Sequence, residues 1–225
     1  MAVYRMCQRL CAVVCVAGLS RRMGAFKPLL PLGDTTVIEA AVASALAGGA
    51  SSAVCVTGYR GDEVAARLRA SFGDRVAVAE NPRYATSDML ASVKTGLRAL
   101  PPCDGFFLLP GDMPLVSPAT FRSVAAAWTR AGGRGVAFPT LDGYRKHPPL
   151  VDAALVGRIL AYGGEGGLRG FWRVSGAPVR EVPVDDVGVW VDLDTQQDYL
   201  SCIETLGKQW EDEEVETWTR SAAQW

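Results

Sequence analysis

The 225-residue chain predicts a doubly wound, mainly parallel α/β sheet in three layers, α/β/α. Three observations carry this. Short apolar runs alternate with helix-like segments through four successive steps. Runs such as AVCVT (53–57) and GFFLL (105–109) are apolar at consecutive positions, as strands buried on both faces require. Glycine or proline punctuates most of the junctions, so connections are short. Right-handed crossovers then bring the loops that follow the strands to one edge, where such sheets bind ligands.

The elements follow in order. Leu10–Ala17 reads as the first core strand. Arg5 and Arg9 ahead of it imitate a short secretory signal, but the run is brief and leads into a glycine–basic loop. Residues 34–47 read as a helix capped by Asp34 or Thr35 and stopped by Gly48-Gly49. Strands at 53–57, 75–79 and 105–109 are separated by helices at 61–71 and 88–100, the latter ended by Pro101-Pro102; a helix at 118–130 follows. Beyond it come a strand at 135–139, a loop at His147-Pro148-Pro149, helices at 152–162 and 165–174, strands at 179–184 and 189–193, and a helix from about 195 to 206. With no linker or repeat, residues 1–207 form one domain and 208–225 an acidic tail.

Composition excludes several classes. Net charge is −1, which gives no basis for a nucleic-acid or anionic-membrane partner. No apolar run approaches the ~20 residues of a membrane span. The six cysteines show no C-x-x-C spacing and the only histidine, His147, is remote in sequence, so a zinc site is not expected; reduced, buried thiols in a cytoplasmic protein are.

The loop after the first strand carries the chemistry. It reads Ala17-Gly18-Leu19-Ser20-Arg21-Arg22-Met23-Gly24, then Lys27. Its glycines permit a sharp turn, its backbone N–H groups form an anion nest, and Arg22 and Lys27 supply a planar fork and a mobile charge. That suits a polyphosphate, though the loop is neither a G-K-[ST] phosphate loop nor G-x-G-x-x-G. Pro110-Gly111-Asp112-Met113-Pro114 places a carboxylate at the end of an apolar strand, suited to a hard divalent cation. Val191-Asp192-Leu193-Asp194-Thr195 offers more carboxylates, two residues apart on one side of a strand, although Asp194 also fits a helix cap.

In order along residues 12–200, these segments resemble the MobA-like nucleotidyltransferases, and most closely the branch that acts as molybdenum-cofactor cytidylyltransferases. The loop is similar to A-A-G-x-S-x-R-M-G-x-x-K-x-L-L-P, with Val16 in place of an alanine. Residues 110–114 are similar to G-D-M-P, and 192–198 to D-I-D-T-P-E-D with Gln196 for proline. Asn81-Pro82 through Ser92 and Gly96-Leu97 is similar to N-P…G-M-x-x-S-x-x-x-G-L, with Asp88 at the glycine. Lys146-His147-Pro148-Pro149 is similar to G-H-P-P, and 163–169 to the G-D-x-G-A-R loop.

The resemblance implies a nucleotide-diphospho-sugar transferase-like, Rossmann-like fold and a set of roles. Ala17, Gly18, Leu19, Ser20, Arg22, Gly24, Lys27 and Ser92 would hold the nucleotide, with Arg22 and Lys27 on the phosphates. Asp112 would bind Mg²⁺ with Asp192 or Asp194, and His147 and Arg169 would face the acceptor. Arg22, Lys27 and Asp112 form the implied catalytic set. The implied reaction moves CMP from CTP to molybdopterin cofactor, with a molybdoenzyme as recipient of the product. A sugar phosphate acceptor, or a module that binds nucleotide and hands on cofactor without turnover, are the alternatives. Positioning and charge neutralisation carry such a transfer, so no strong general base is expected.

Overall fold

In the computed structural model, residues 8–20 and 23–207 are described; Arg21, Arg22, Cys7 and the tail at 208–225 lie outside the described residues. The chain opens with β1 (Leu10–Cys15), all six residues of it buried. A one-turn 3₁₀ helix (Lys27–Leu29) and the small ribbon β2 (Pro31–Leu32) with β3 (Thr35–Thr36) lead into α1 (Val37–Ala47). The cap of α1 is Thr36, one residue beyond the expected pair, because Thr36 and Glu39 close a reciprocal capping box. Then follow β4 (Ser52–Thr57), α2 (Gly61–Phe72), β5 (Val76–Glu80), α3 (Met89–Arg98), β6 (Gly105–Pro110) and α4 (Pro118–Arg130). Each of these lies within one or two residues of its sequence expectation.

The second half completes the sheet with β7 (Val136–Leu141), β8 (Tyr144–Arg145), β9 (Leu150–Asp152) and β10 (Val179–Pro183). Its helices are α5 (Val156–Ala161), α6 (Gly167–Ser175) and α7 (Gln196–Gly207). The described strands form an eight-stranded sheet, β10-β7-β9-β6-β1-β4-β5, with β8 beside β7. β1 runs parallel to both β4 and β6, and β10 parallel to β7, whereas β9 is antiparallel to β6 and β7.

Alternate residues of β1 feed two cores, which makes the three layers. Ala12 and Val14 join Ile38, Phe107, Phe121 and Trp128 beneath α1 and α4. Cys11, Val13 and Cys15 join Val93, Phe106, Ile159 and Phe171 beneath α3, α5 and α6. A third cluster ties α7 to the 27–37 segment through Leu30, Val37, Leu193 and Tyr199.

Two expectations are corrected. The helix expected at 152–162 is confined to Val156–Ala161: Asp152 ends a strand whose apolar pair Leu150-Val151 fills the gap between β6 and β7, and a 3₁₀ turn over Ala153–Leu155 follows. Residues 189–193 are not a strand. Asp186 accepts from Gly188 N–H at 3.0 Å and starts a 3₁₀ turn over Val187–Trp190. An added side chain at Gly188 would run into the Leu115 carbonyl, so the turn lies against the segment leaving β6. Among the described residues, no helix is long and apolar enough to cross a membrane.

Candidate active site

The site is assembled where β1 and β6 end side by side. Gly111 N–H donates to Cys15 O at 2.9 Å, continuing the ladder one residue past β6. Gly111 permits this approach: a Cβ there would overlap Val16 Cγ1. Asp112 therefore emerges beside the loop leaving β1. In that loop Ser20 sits at φ 50° and Gly24 at φ 72°, so the chain reverses sharply. Ser20 fastens the reversal twice, its carbonyl accepting from Met23 N–H at 3.1 Å and its Oγ from Lys27 N–H at 3.2 Å.

Lys27 closes the arrangement. Its Nζ lies 3.2 Å from Asp112 Oδ2 and 3.0 Å from Asp194 Oδ1, with only 12% of its side chain exposed. Segment 191–195 is held there because Leu193 N–H donates to Asp112 O at 3.0 Å. Leu193 itself is fully buried. Of the two candidate carboxylates, Asp194 stands beside Asp112, while Asp192 bears on Lys146 instead. The cap of α7 falls to Thr195 rather than Asp194: Thr195 N–H donates to Asp198 at 2.6 Å and Asp198 N–H to Thr195 Oγ1 at 3.2 Å.

A cavity of about 440 Å³ opens over this centre, lined by Gly18, Leu19, Ser20, Lys27, Asp112 and Asp194 with Cys15, Val16 and Met89. Burial pushes the Cys15 thiol up to about 12, so it is a neutral wall and not a nucleophile. Sharing Cys15, Gly18 and Met89 with it is a smaller cavity of about 140 Å³, walled by Ala17, Tyr84, Ser87, Asp88 and Ser92. Gly24 borders a separate hollow on the outer side of the loop, with Phe26 and Tyr59.

The sequence reading names Ser92, and Asn81 only as part of the N-P motif with no role of its own; it does not name Tyr84 or Ser87, which wall the same cavity as Ser92. Asn81 is buried and organises the wall: its Nδ2 donates to Ser87 Oγ at 3.0 Å and to Ser92 Oγ at 3.1 Å. Its Oδ1 accepts from Arg83 N–H at 3.1 Å. The signal available was an Asn-Pro turn followed by two serines at the sheet's ligand edge. Asp88, the departure from glycine, caps α3 by accepting from Ala91 N–H at 2.9 Å.

On the other flank, the His147 ring faces back into the sheet, with Nδ1 3.2 Å from Leu108 O. A carbonyl only accepts, so Nδ1 carries the hydrogen and Nε2 is left as an acceptor. Burial holds His147 below its usual range, partly opposed by the Leu108 carbonyl and the charge of Asp112. Arg169 is exposed on α6 and lines neither cavity described above. The structure thus brings together Gly18, Ser20, Lys27, Asp112 and Asp194, sets Ser92 and His147 at the flanks, and leaves Asp192 and Arg169 outside.

The donor chemistry fits a hard divalent cation: carboxylate oxygens of Asp112 and Asp194 converge on one positively charged atom, the kind of position Mg²⁺ takes with one or two carboxylates. Among the described residues no group of three or more His, Cys, Asp or Glu could hold a metal, so phosphate or water oxygens would complete such a shell.

A mainly parallel sheet between two helix layers, with a lysine set between two carboxylates in a cavity at its strand ends, fits the nucleotide-diphospho-sugar transferase-like class. A family model for the MobA-like NTP transferase domain matches residues 12–181. The chain belongs to that family and is a nucleotidyltransferase. It is 28% identical over 192 residues to the molybdenum cofactor cytidylyltransferase of Escherichia coli K12, covering 85% of this chain and 94% of that protein. A nucleotidyl transferase structure from Methanothermobacter superposes with a TM-score of 0.74 at 28% identity, covering 89% of this chain and 99% of the other. The manganese complex of Rv0371c from Mycobacterium tuberculosis H37Rv superposes with a TM-score of 0.64 at 27% identity, covering 87% and 98%.

Proposed function

We propose that the chain transfers CMP from CTP to the phosphate of molybdopterin cofactor and releases pyrophosphate, with Mg²⁺ at Asp112 and Asp194. The observation that carries this reading is the Lys27 ammonium set between those two carboxylates at the mouth of the cavity under the loop. Lys27 is held in reserve there as a counterion. When the triphosphate enters, its oxygens compete for the ammonium, and Lys27 turns from the carboxylates to the phosphates. Gly18, Leu19 and Ser20 line the same cavity, and Arg22, by its place in the sequence motif, is the second phosphate-binding cation. The smaller cavity beside Ala17 and Ser92, about 140 Å³, is on the scale of one base. The bound divalent ion would neutralise charge on the attacking and leaving oxygens.

An acceptor phosphate is already ionised near neutral pH, so the site needs to position it rather than deprotonate it. His147, neutral and held at Leu108, offers that phosphate no donor; it is a fixed wall on the side of β6 away from the loop, and its Nε2 accepts from an N–H or O–H group of the acceptor instead. Support for cytidine and for the molybdenum cofactor comes from the Escherichia coli relative, and support for a divalent ion from the manganese complex. The free cysteines suit a reducing, cytoplasmic compartment, where a molybdoenzyme would collect the product.

The test is pyrophosphate release with Mg²⁺ for CTP, GTP, ATP and UTP, each offered with molybdopterin and with a panel of sugar phosphates. Release with CTP and molybdopterin alone is expected. Release with a sugar phosphate only would move the chain to another acceptor, and nucleotide binding without release would overturn the transferase chemistry proposed for this site.

A further inference from the structure

The β7–β8 hairpin turns at Asp142 and Gly143, both in the left-handed region at φ 52° and 79°. In an extended chain Tyr144 and Lys146 leave it on one side and Arg145 on the other. Arg145 anchors the hairpin to the sheet, its guanidinium 5.4 Å from the Phe138 ring and 2.8 Å from Glu181 Oε1. Tyr144 and Lys146 instead meet Trp190. The Tyr144 and Trp190 rings stand 5.9 Å apart at 66°, and the Lys146 ammonium rests over the indole.

This corner is unusually open. Tyr144 is 64% exposed and Trp190 45%. Large aromatics left together in solvent mark a binding surface more often than isolated ones do. The corner is also continuous with the transfer centre. Lys146 precedes His147, whose ring feels Asp112, and Trp190 leads through residues 191–193 to the Leu193 N–H that holds Asp112 O at 3.0 Å. It lies on the β7 side of β6, whereas β1 and the donor loop lie on the other.

We propose that Tyr144, Trp190 and Lys146 form the seat for the planar ring of the acceptor, a fused nitrogen heterocycle of pterin type. This rests on the reading of the neighbouring site as a transferase centre. The two ring planes make a two-walled corner that supports a flat, electron-poor ring on one face and its edge on the other. Lys146 swings off the indole to the acceptor's anionic group. Asp142 and Asp192, whose charges bear on Lys146, are the hydrogen-bond acceptors that ring N–H and amino groups of such a heterocycle require. Lys146 stands where the family pattern has glycine, which cannot supply this charge.

The probe is 6-hydroxymethylpterin phosphate, followed by its own emission, which stacked indole quenches. Full-length protein is expected to quench it saturably. Trp190→Ala and Tyr144→Ala, both surface changes, are expected to weaken binding about 10- to 100-fold, as for loss of one stacking partner, with CTP affinity unchanged. Equal pterin affinity in wild type and Trp190→Ala overturns the inference, as does displacement of the pterin by glucose 1-phosphate at equal concentration. Pterin binding that depends on Trp190 but supports no CTP turnover sustains the corner while sinking the transferase reading. Turnover of molybdopterin with an unchanged KM in Trp190→Ala sinks the corner and leaves the transferase reading standing.

Discussion

Replacing Gly111 by alanine tests whether the juxtaposition of β1 and β6 sets the position of Asp112. The added methyl overlaps Val16 Cγ1, lies 3.1 Å from Ile38 Cδ1 and stands 3.3 Å from the Cys15 carbonyl. The last two contacts are tight but tolerable, so the conflict is with one methyl of one side chain. Val16, Cys15 and Ile38 are all buried, which leaves little room to yield. Overpacking of this kind costs about 1–3 kcal/mol. In a domain of this size that lowers Tm by roughly 2–4 °C per kcal/mol. Because Gly111 N–H is bonded to Cys15 O and Asp112 follows at once, the same strain moves the carboxylate, so turnover falls with stability. Val16→Ala removes the offending methyl. The single change loses buried apolar contact, about 1 kcal/mol or more. In the double variant the alanine methyl fills the space vacated, and a double-mutant cycle should return a favourable coupling of about 1–2 kcal/mol with recovery of activity. Urea unfolding and steady-state turnover of the four proteins measure it. Additive losses in Val16→Ala/Gly111→Ala, or a Gly111→Ala protein as stable as wild type, would refute the reasoning.

Three further outcomes follow from the same geometry. Asp112→Asn and Asp194→Asn should each lower turnover by about 100-fold or more and weaken its Mg²⁺ dependence, while Asp192→Asn leaves the Mg²⁺ dependence unchanged and raises only the acceptor KM; equal shifts at 192 and 194, in a titration of rate against Mg²⁺, would remove the distinction drawn between them. His147 has its folded pKa lowered beneath 6.5 by burial, so the unfolded chain takes up the proton first and stability declines as pH falls below 6.5 toward the folded value. His147→Asn should flatten that decline, and proton NMR of the chain's single histidine reads the pKa without assignment. At Glu39, burial alone would raise the pKa, but the Ser71 and Thr36 hydroxyls and Arg67 outweigh it, and the carboxyl is held below 4.5. Its stabilisation is therefore present above 4.5 and lost as pH drops through the folded value, and Glu39→Ala should cost about 2–3 kcal/mol in denaturant unfolding at pH 7 while removing that acid limb.

What was legible in the sequence depended on how locally each feature is determined. The first half reads well because β1, β4 and β6 are buried runs bounded by their own turns and every helix carries its own cap or stop; the half-exposed edge strand β5 is legible from its Val-Ala alternation, and only the two-residue ribbon β2–β3 escaped. Loop and carboxylate positions then follow, since parallel topology alone sends 18–27 and 110–114 to one edge. The second half fails where long-range contacts decide. Leu150-Val151 is too short a run to signal a strand; the gap between β6 and β7 makes it one. Val189–Leu193 alternates as a strand should, yet Asp186 and the small Gly188 wind its start into a 3₁₀ turn, and a single bond to Asp112 O ties down the rest. That error bears on the chemistry. On a strand, Asp192 and Asp194 would share a face and be equivalent; off the strand, the 3.0 Å bond at Leu193 N–H sends Asp194 to Lys27 and leaves Asp192 near Lys146. The choice between two adjacent carboxylates is therefore made by a backbone contact some eighty residues away in sequence, which no local pattern encodes. The same segment then presents Trp190 to Tyr144, so one misread stretch hid both which carboxylate stands beside Asp112 and the wall proposed for the acceptor.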